Sequence, residues 1–259
     1  MLVDSHCHLD QFADTDAVLA AAAQAGVGQV VAVSESAESM RAVLALKRRY
    51  PDQVLAGLGL HPAWVTQATD AELADALAYL AAHLPEADVL GEVGLDYKWA
   101  TSPEQQAQQQ DILTQQLDLA AQCGKPINLH SRRAQRQTLE RAVEFRRHTK
   151  LNAQLHWFTQ SKKLVRICRA ERIYVSVGPS VLCDPQTQAV AAQIDRELLL
   201  LETDAPVPIG GAAGHPARVA AVATKLAELI GFTEEEAAAN WVRYLGELPR
   251  KHRHYGKYY

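Results

Sequence analysis

The chain has 259 residues, 48% of them hydrophobic and 22% charged, with 26 Lys and Arg against 30 Asp and Glu, a formal net charge of -4 and 10 His. That much apolar side chain can bury a sizeable core, and 14 Gly with 11 Pro are too few for a fibrous or low-complexity protein, so disorder is excluded. Nothing reaches the roughly 18 uninterrupted apolar residues of a spanning helix, and the start Met-Leu-Val-Asp-Ser-His lacks the basic and apolar regions of a secretory signal, so a cytoplasmic chain without membrane association is expected.

In chain order, eight short apolar, partly β-branched runs read as strands: residues 2–8, 29–33, 54–60, 89–93, 126–130, 152–156, 173–177 and 198–204. Near-continuous apolar runs of this length fit parallel strands covered on both faces by helices. Helix signals fall between them. Asp14 or Thr15 caps a helix that stops at Gly26, and Pro51 closes the stretch 40–50. Ser102, Pro103 and Gln105 supply a capping residue, a first-turn proline and a capping-box partner, and Gly124 ends that helix. Asp184 with Pro185, His215 with Pro216, and Thr233 with Glu236 open three more.

Strands and helices alternating in this way predict an α/β chain, a single (β/α)8 TIM barrel over residues 1–249, with a doubly wound open sheet as the runner-up. The tail 250–259 interleaves cations and aromatics and is expected to fray. Gln105 to Gln110 is expected to be a solvated helix face. Cys7, Cys123, Cys168 and Cys183 have no C-x-x-C spacing and read as buried free thiols of a reducing compartment. No linker or internal repeat divides the chain, and a monomer is expected.

Five of the runs end in or beside residues able to bind a metal: His6 and His8, Glu92, His130, His156 and Asp204. Residues i and i+2 of a strand point the same way, so His6 and His8 can aim at one point, and the C-terminal strand ends of a barrel converge on one face. A lone buried His is more often a satisfied core residue than a ligand, but six such groups at predicted strand ends make that reading improbable for the set. His83, His148, His252 and His254 fall on helix or tail positions and read as solvated.

Four imidazoles and two carboxylates suit one or two divalent ions such as Mg, Mn or Zn, with Glu92 able to bridge a pair roughly 3.5–4 Å apart. Such ions lower the pKa of bound water from about 15.7 towards roughly 7, so hydrolysis is the natural chemistry. Two dications less two carboxylates leave a positive centre, which favours an anionic substrate such as a phosphodiester.

At this point the sequence resembles the TatD-type metal-dependent hydrolases. The resemblance rests on Asp-Ser-His-Cys-His-Leu-Asp at 4–10, Gly-Leu-His-Pro at 59–62, Gly-Glu-Val-Gly-Leu-Asp-Tyr at 91–97, Leu-His-Ser-Arg at 129–132 and Glu-Thr-Asp-Ala-Pro at 202–206. The resemblance implies a TIM barrel and a divalent-metal deoxyribonuclease, with removal of D-amino acids from tRNA in some members. It implies that His6, His8, Glu92 and Asp204 hold one metal and that Glu92, His130 and His156 hold the other. Asp204 would orient or deprotonate the attacking water, with Glu92 the second catalytic residue, and His61, Arg132 and Asp96 would contact substrate.

Two segments depart from the family pattern. After His156 stand Trp157, Phe158, Thr159 and Gln160, where the family carries a small residue and a glycine, and the loop 207–216 is short. The indole is expected to reshape the groove. His215 reads either as a substitute contact or as a helix start. The stretch from Arg132 to Lys150 carries seven Lys and Arg against Glu140 and Glu144, and Lys162, Lys163, Arg166, Arg169 and Arg172 follow the sixth strand. Both are either phosphate-facing or solvated helix surface.

Three functions fit these residues: a deoxyribonuclease, an amide or ester hydrolase such as a D-aminoacyl-tRNA deacylase, and a non-catalytic metal- or nucleic-acid-binding relative.

Overall fold

The computed structural model describes residues 1–158 and 161–246. The tail 250–259, with His252 and His254, and the two departing residues Thr159 and Gln160 lie outside them.

Eight strands, β1 (Leu2–Cys7), β2 (Val27–Val33), β3 (Val54–Leu58), β4 (Val89–Asp96), β5 (Ile127–Arg132), β6 (Ala153–Leu155), β7 (Tyr174–Val177) and β8 (Leu199–Leu201), form one parallel sheet in consecutive order. That order contains no reversal, which rules out the doubly wound alternative. The sheet curls until β8 meets β1: Asp204 N–H donates to His6 O at 2.9 Å, and His8 N–H donates to Ala205 O at 2.8 Å. The barrel is therefore nearly closed, and the seam lies at its C-terminal mouth. β1 and β4 are buried along their whole length, as strands between an interior and a helical shell must be.

Among the described residues ten α-helices surround the sheet: α1 (Thr15–Gln24), α2 (Ala37–Arg49), α3 (Pro62–Gln67), α4 (Asp70–His83), α5 (Pro103–Cys123), α6 (Gln135–Thr149), α7 (Lys162–Glu171), α8 (Pro185–Ala191), α9 (Val219–Ile230) and α10 (Glu234–Leu245). The sequence signals act as read. Asp14 caps α1, Ser102 and Gln105 form a capping box with Gly124 left-handed at the far end of α5, Asp184 caps α8, and Thr233 with Glu236 caps α10. His215 resolves as a helix start: its Nδ1 accepts the Ala217 N–H in a short 3-10 turn that leads into α9. Among the described helices none is long and apolar enough to cross a membrane.

Three expectations need correction. Gln109 is 1% exposed rather than solvated. Its Oε1 accepts the Asp96 N–H at 2.9 Å, and its Nε2 donates to Pro62 O, Thr66 Oγ1 and Asp96 O, so it pins the end of β4 to α3. A helix has two faces, and a glutamine run says nothing of which member turns inward. Second, β4 continues past Val93, because Gly94, Leu95 and Asp96 pair with His130, Ser131 and Arg132 of β5. Third, Cys7 and Cys168 are buried, but Cys123 is half-buried and Cys183 exposed.

Gly94 makes that extension possible. Its φ is +151°, and a Cβ there would lie 2.1 Å from His130 O. Gly94→Ala is expected to cost about 2–4 kcal/mol by pushing β4 off β5 at the residue that carries His130. A denaturant melt of the variant checks this, and an unchanged midpoint would contradict it.

Candidate metal centre

Each group of the predicted constellation sits at the C-terminal mouth of the barrel. β1 and the residue after it bring His6 and His8, β4 brings Glu92 and Asp96, β5 brings His130 and Arg132, the turn after β6 brings His156, and the segment after β8 brings Asp204. His61 enters as the residue capping α3.

The two oxygens of Glu92 face different groups. Oε2 lies 3.5 Å from His6 Nε2 and 3.5 Å from His8 Nε2, both of which also approach Asp204 Oδ1, at 3.5 and 3.2 Å. Oε1 lies 2.8 Å from His130 Nδ1 and 2.9 Å from His156 Nε2. One carboxylate thus stands between two half-sites.

The far nitrogens of the rings say which atom is offered inward. Asn128 Nδ2 donates to Ser5 O at 3.0 Å, so its Oδ1 is the acceptor that meets His6 Nδ1 at 3.0 Å. His6 therefore donates through Nδ1 and turns Nε2 to the centre. His130 is oriented the other way round, with Nε2 against Asp96 Oδ2 at 3.3 Å and Nδ1 inward.

His6 Nε2 and Glu92 Oε2 are buried with no hydrogen-bond partner among the described residues, although both face the centre. Buried polar atoms are rarely left so unless something binds them. His130 Nδ1 and His156 Nε2 are 3.2 Å apart, a spacing that requires a proton or a cation between them. The donor set of imidazoles and carboxylates fits divalent ions of the transition series.

Charge in the cluster is distributed by these neighbours. Burial opposes ionisation of Glu92, yet the imidazoles around it hold its carboxyl well below the ordinary range. Burial also opposes protonation of His8 and His130, but Asp204 and Glu92 lift His8 to about 10, and Asp96 with Glu92 lifts His130 to about 9. For His61 burial outweighs the opposing pull of Glu92 and drives it down to about 3. Its Nδ1 accepts the Ala63 N–H at 3.0 Å, so a neutral ring presents Nε2–H to the cleft, 3.7 Å from Glu92 Oε1.

The centre opens into a cleft of ≈ 450 Å³ whose walls include His61, Trp99, Arg132, Trp157 and Val207. Asp96 also lines it, but its oxygens are engaged by His130 and by the Lys98 N–H at 2.8 Å, which places it behind a ring rather than free for substrate. The sequence reading missed Glu35, just past β2, which lines the cleft and accepts from Gln11 Nε2 at 2.7 Å. It also missed Asn128 and Trp99. Glu35 and Trp99 follow strand ends, the position rule that found the other groups.

The basic stretches divide. Arg132 reaches the cleft, whereas Arg136, Arg147, Arg169 and Arg172 pair with Glu140, Glu171, Asp195 and Glu197 on the outer shell. Those four are solvated helix surface, where such pairs contribute little. His83 pairs with Glu86, and His148 with the Glu144 carbonyl.

The profile described as TatD related DNase matches residues 3–243. Deoxyribonuclease TATDN3 of Homo sapiens is 31% identical over 248 residues, covering 91% of this chain and 89% of its own. The metal-dependent hydrolase YjjV of Escherichia coli K12 is 34% identical over 247 residues, with 91% of both chains covered. The crystal structure of YjjV, a TatD homologue, superposes with a TM-score of 0.81 over 96% of this chain and 98% of that one, at 30% identity.

Proposed function

This chain belongs to the TatD related DNase family, a family of metal-dependent hydrolases, and we propose that it is a two-metal deoxyribonuclease. The observation that carries the two-metal reading is Glu92, whose oxygens each face a separate set of ring nitrogens. His6, His8, Glu92 and Asp204 would hold one ion, and Glu92, His130 and His156 the other. Once bound, divalent ions of the Mg, Mn or Zn type supply Lewis acidity, lowering the pKa of water and drawing charge from the phosphoryl oxygen.

The chain's own groups do the rest. Asp204 sits at the seam between β8 and β1 with its Oδ1 towards the centre, where it can orient the attacking water and take its proton. Neutral His61 offers Nε2–H to a phosphate oxygen, and Arg132 can grip phosphate through two N–H groups. Asp96 acts through His130 by fixing which nitrogen turns inward. A non-catalytic binding role is disfavoured, since a binding module needs no open cleft over a complete ligand set. The chain would act as a cytoplasmic monomer.

Labelled DNA and a D-aminoacyl-tRNA assayed side by side with Mg, Mn or Zn test the substrate. Cleavage of DNA alone is expected, and deacylation without DNA cleavage would overturn the proposal in favour of a carbonyl hydrolase on the same groups.

Trp157 lines the cleft at φ +43°, a conformation that glycine adopts freely. Trp157→Gly is therefore expected to keep the fold and to raise KM for DNA about tenfold, the scale of one lost base–indole contact. Turnover of a small phosphodiester should stay the same. An unchanged KM for DNA would show that the indole does not shape the groove.

A further inference from the structure

Each imidazole of the centre turns one nitrogen inward and has a polar group behind the other. Asn128 stands behind His6 and Asp96 behind His130, at hydrogen-bond distance. Behind His156, the nearest carboxylate oxygen to Nδ1 is Glu202 Oε2 at 3.8 Å. His156 is 5% exposed, and its Nδ1 has no hydrogen-bond partner among the described residues.

Glu202 is itself 0% exposed, just past the end of β8. Its Oε1 accepts the Trp157 N–H at 2.6 Å and its Oε2 accepts the Ser176 hydroxyl at 2.6 Å. Behind it a chain of buried donors runs across the barrel floor. Gln154 Nε2 donates to Ser176 Oγ and Ser5 Oγ, and Asn128 Nδ2 donates to Ser5 O and towards Gln154 Oε1. That chain ends on His6. A carboxylate has about four acceptor positions, and the Trp157 N–H and the Ser176 hydroxyl fill two of those on Glu202, which leaves room for a further donor. Among the described residues, His156 Nδ1 is a buried ring nitrogen that faces it with no hydrogen-bond partner.

We propose that Glu202 is a positioning residue: its carboxylate accepts His156 Nδ1–H, leaving Nε2 bare for an ion, and through the Trp157 N–H sets the cleft wall. One buried side chain thereby couples the half-site at His130 and His156 to the groove. An amide would not serve. With its NH2 turned to Ser176 it would present a donor to the Nδ1–H, and turned the other way it would present one to the Trp157 N–H.

This assignment rests on the two-metal reading, and the test separates the two. Full-length chains stripped of metal are titrated with Mn2+ or Zn2+ alone by calorimetry, so turnover is not the readout. The wild type should bind two ions. Glu202→Gln should lose about 10–100-fold in affinity at one of them. In a His156→Ala background the same substitution should leave the remaining ion's affinity unchanged, a result that a merely structural role would not give.

If Glu202→Gln does not fold, Glu202→Asp, which withdraws the carboxylate by one methylene, should show the same one-ion loss. Wild-type affinity for both ions in whichever variant folds overturns this proposal alone, as does an equal loss with and without His156. Failure of the wild type to bind two ions overturns both readings.

Discussion

Glu92→Ala is expected to lower kcat on DNA by about 10³-fold or more, a barrier increase of about 4 kcal/mol, with the barrel intact. Among the described residues no other side chain has oxygens facing both sets of ring nitrogens, so its removal takes a carboxylate oxygen from both half-sites at once. Asp204 substitutions should be as severe, because its Oδ1 is within reach of both His6 and His8. Asp204 has φ +55°, which asparagine tolerates better than alanine, so Asp204→Asn separates loss of charge from loss of backbone geometry. Circular dichroism and a thermal melt check the fold beside the activity assay. Near-normal turnover in both variants would contradict the mechanism.

Metal removal is the second large effect. Dialysis against a chelator should abolish hydrolysis, and readdition of Mn2+ or Zn2+ should restore it. An ion held at about 100 times its Kd contributes about 2.7 kcal/mol to stability, which in a chain of this size is about 5–10 °C of Tm. The pH dependence follows from the ring environments. With carboxylates lifting His8 to about 10 and His130 to about 9, both rings carry a proton at pH 7 in the metal-free protein. An ion needs the bare nitrogen, so binding must release protons and affinity must weaken as pH falls. Calorimetry in buffers of different ionisation enthalpy measures the proton count. Metal binding with no proton release would show that these rings are not ligands.

Much of this arrangement was legible in the sequence because strand geometry is simple. His6, His130, His156 and Asp204 each follow an apolar run, and the mouth of a parallel barrel brings such positions together whatever their separation in the chain. The supporting layer carries the same signal. Asp4, Asn128, Gln154 and Glu202 each stand two residues before a predicted ligand, hence on the same side of the chain, and all are at most 1% exposed. A polar residue in an otherwise apolar strand, two places before a histidine or aspartate, is a supporting partner in plain view.

Other features had no local sign. Gln109 differs from its glutamine neighbours only in facing inward, which depends on the rotation of α5 against β4. The pairing of Glu92 with both half-sites, and the direction in which each ring is turned, arise from residues far apart in the chain. Asp96 shows the limit clearly: its motif pointed to substrate, whereas its neighbours place it against His130. The charge runs left phosphate-facing and solvated surface both open, and the fold decides between them, since acids from later segments pair with Arg147, Arg169 and Arg172 on the outer shell.

A crystal soaked with Mn2+ and measured at an energy where manganese scatters anomalously would locate the ions at the barrel mouth. Two peaks should appear about 3.5–4 Å apart on either side of the Glu92 carboxylate, one beside His6, His8 and Asp204 and the other beside His130 and His156. A single peak, or density away from these nitrogens, would contradict the account.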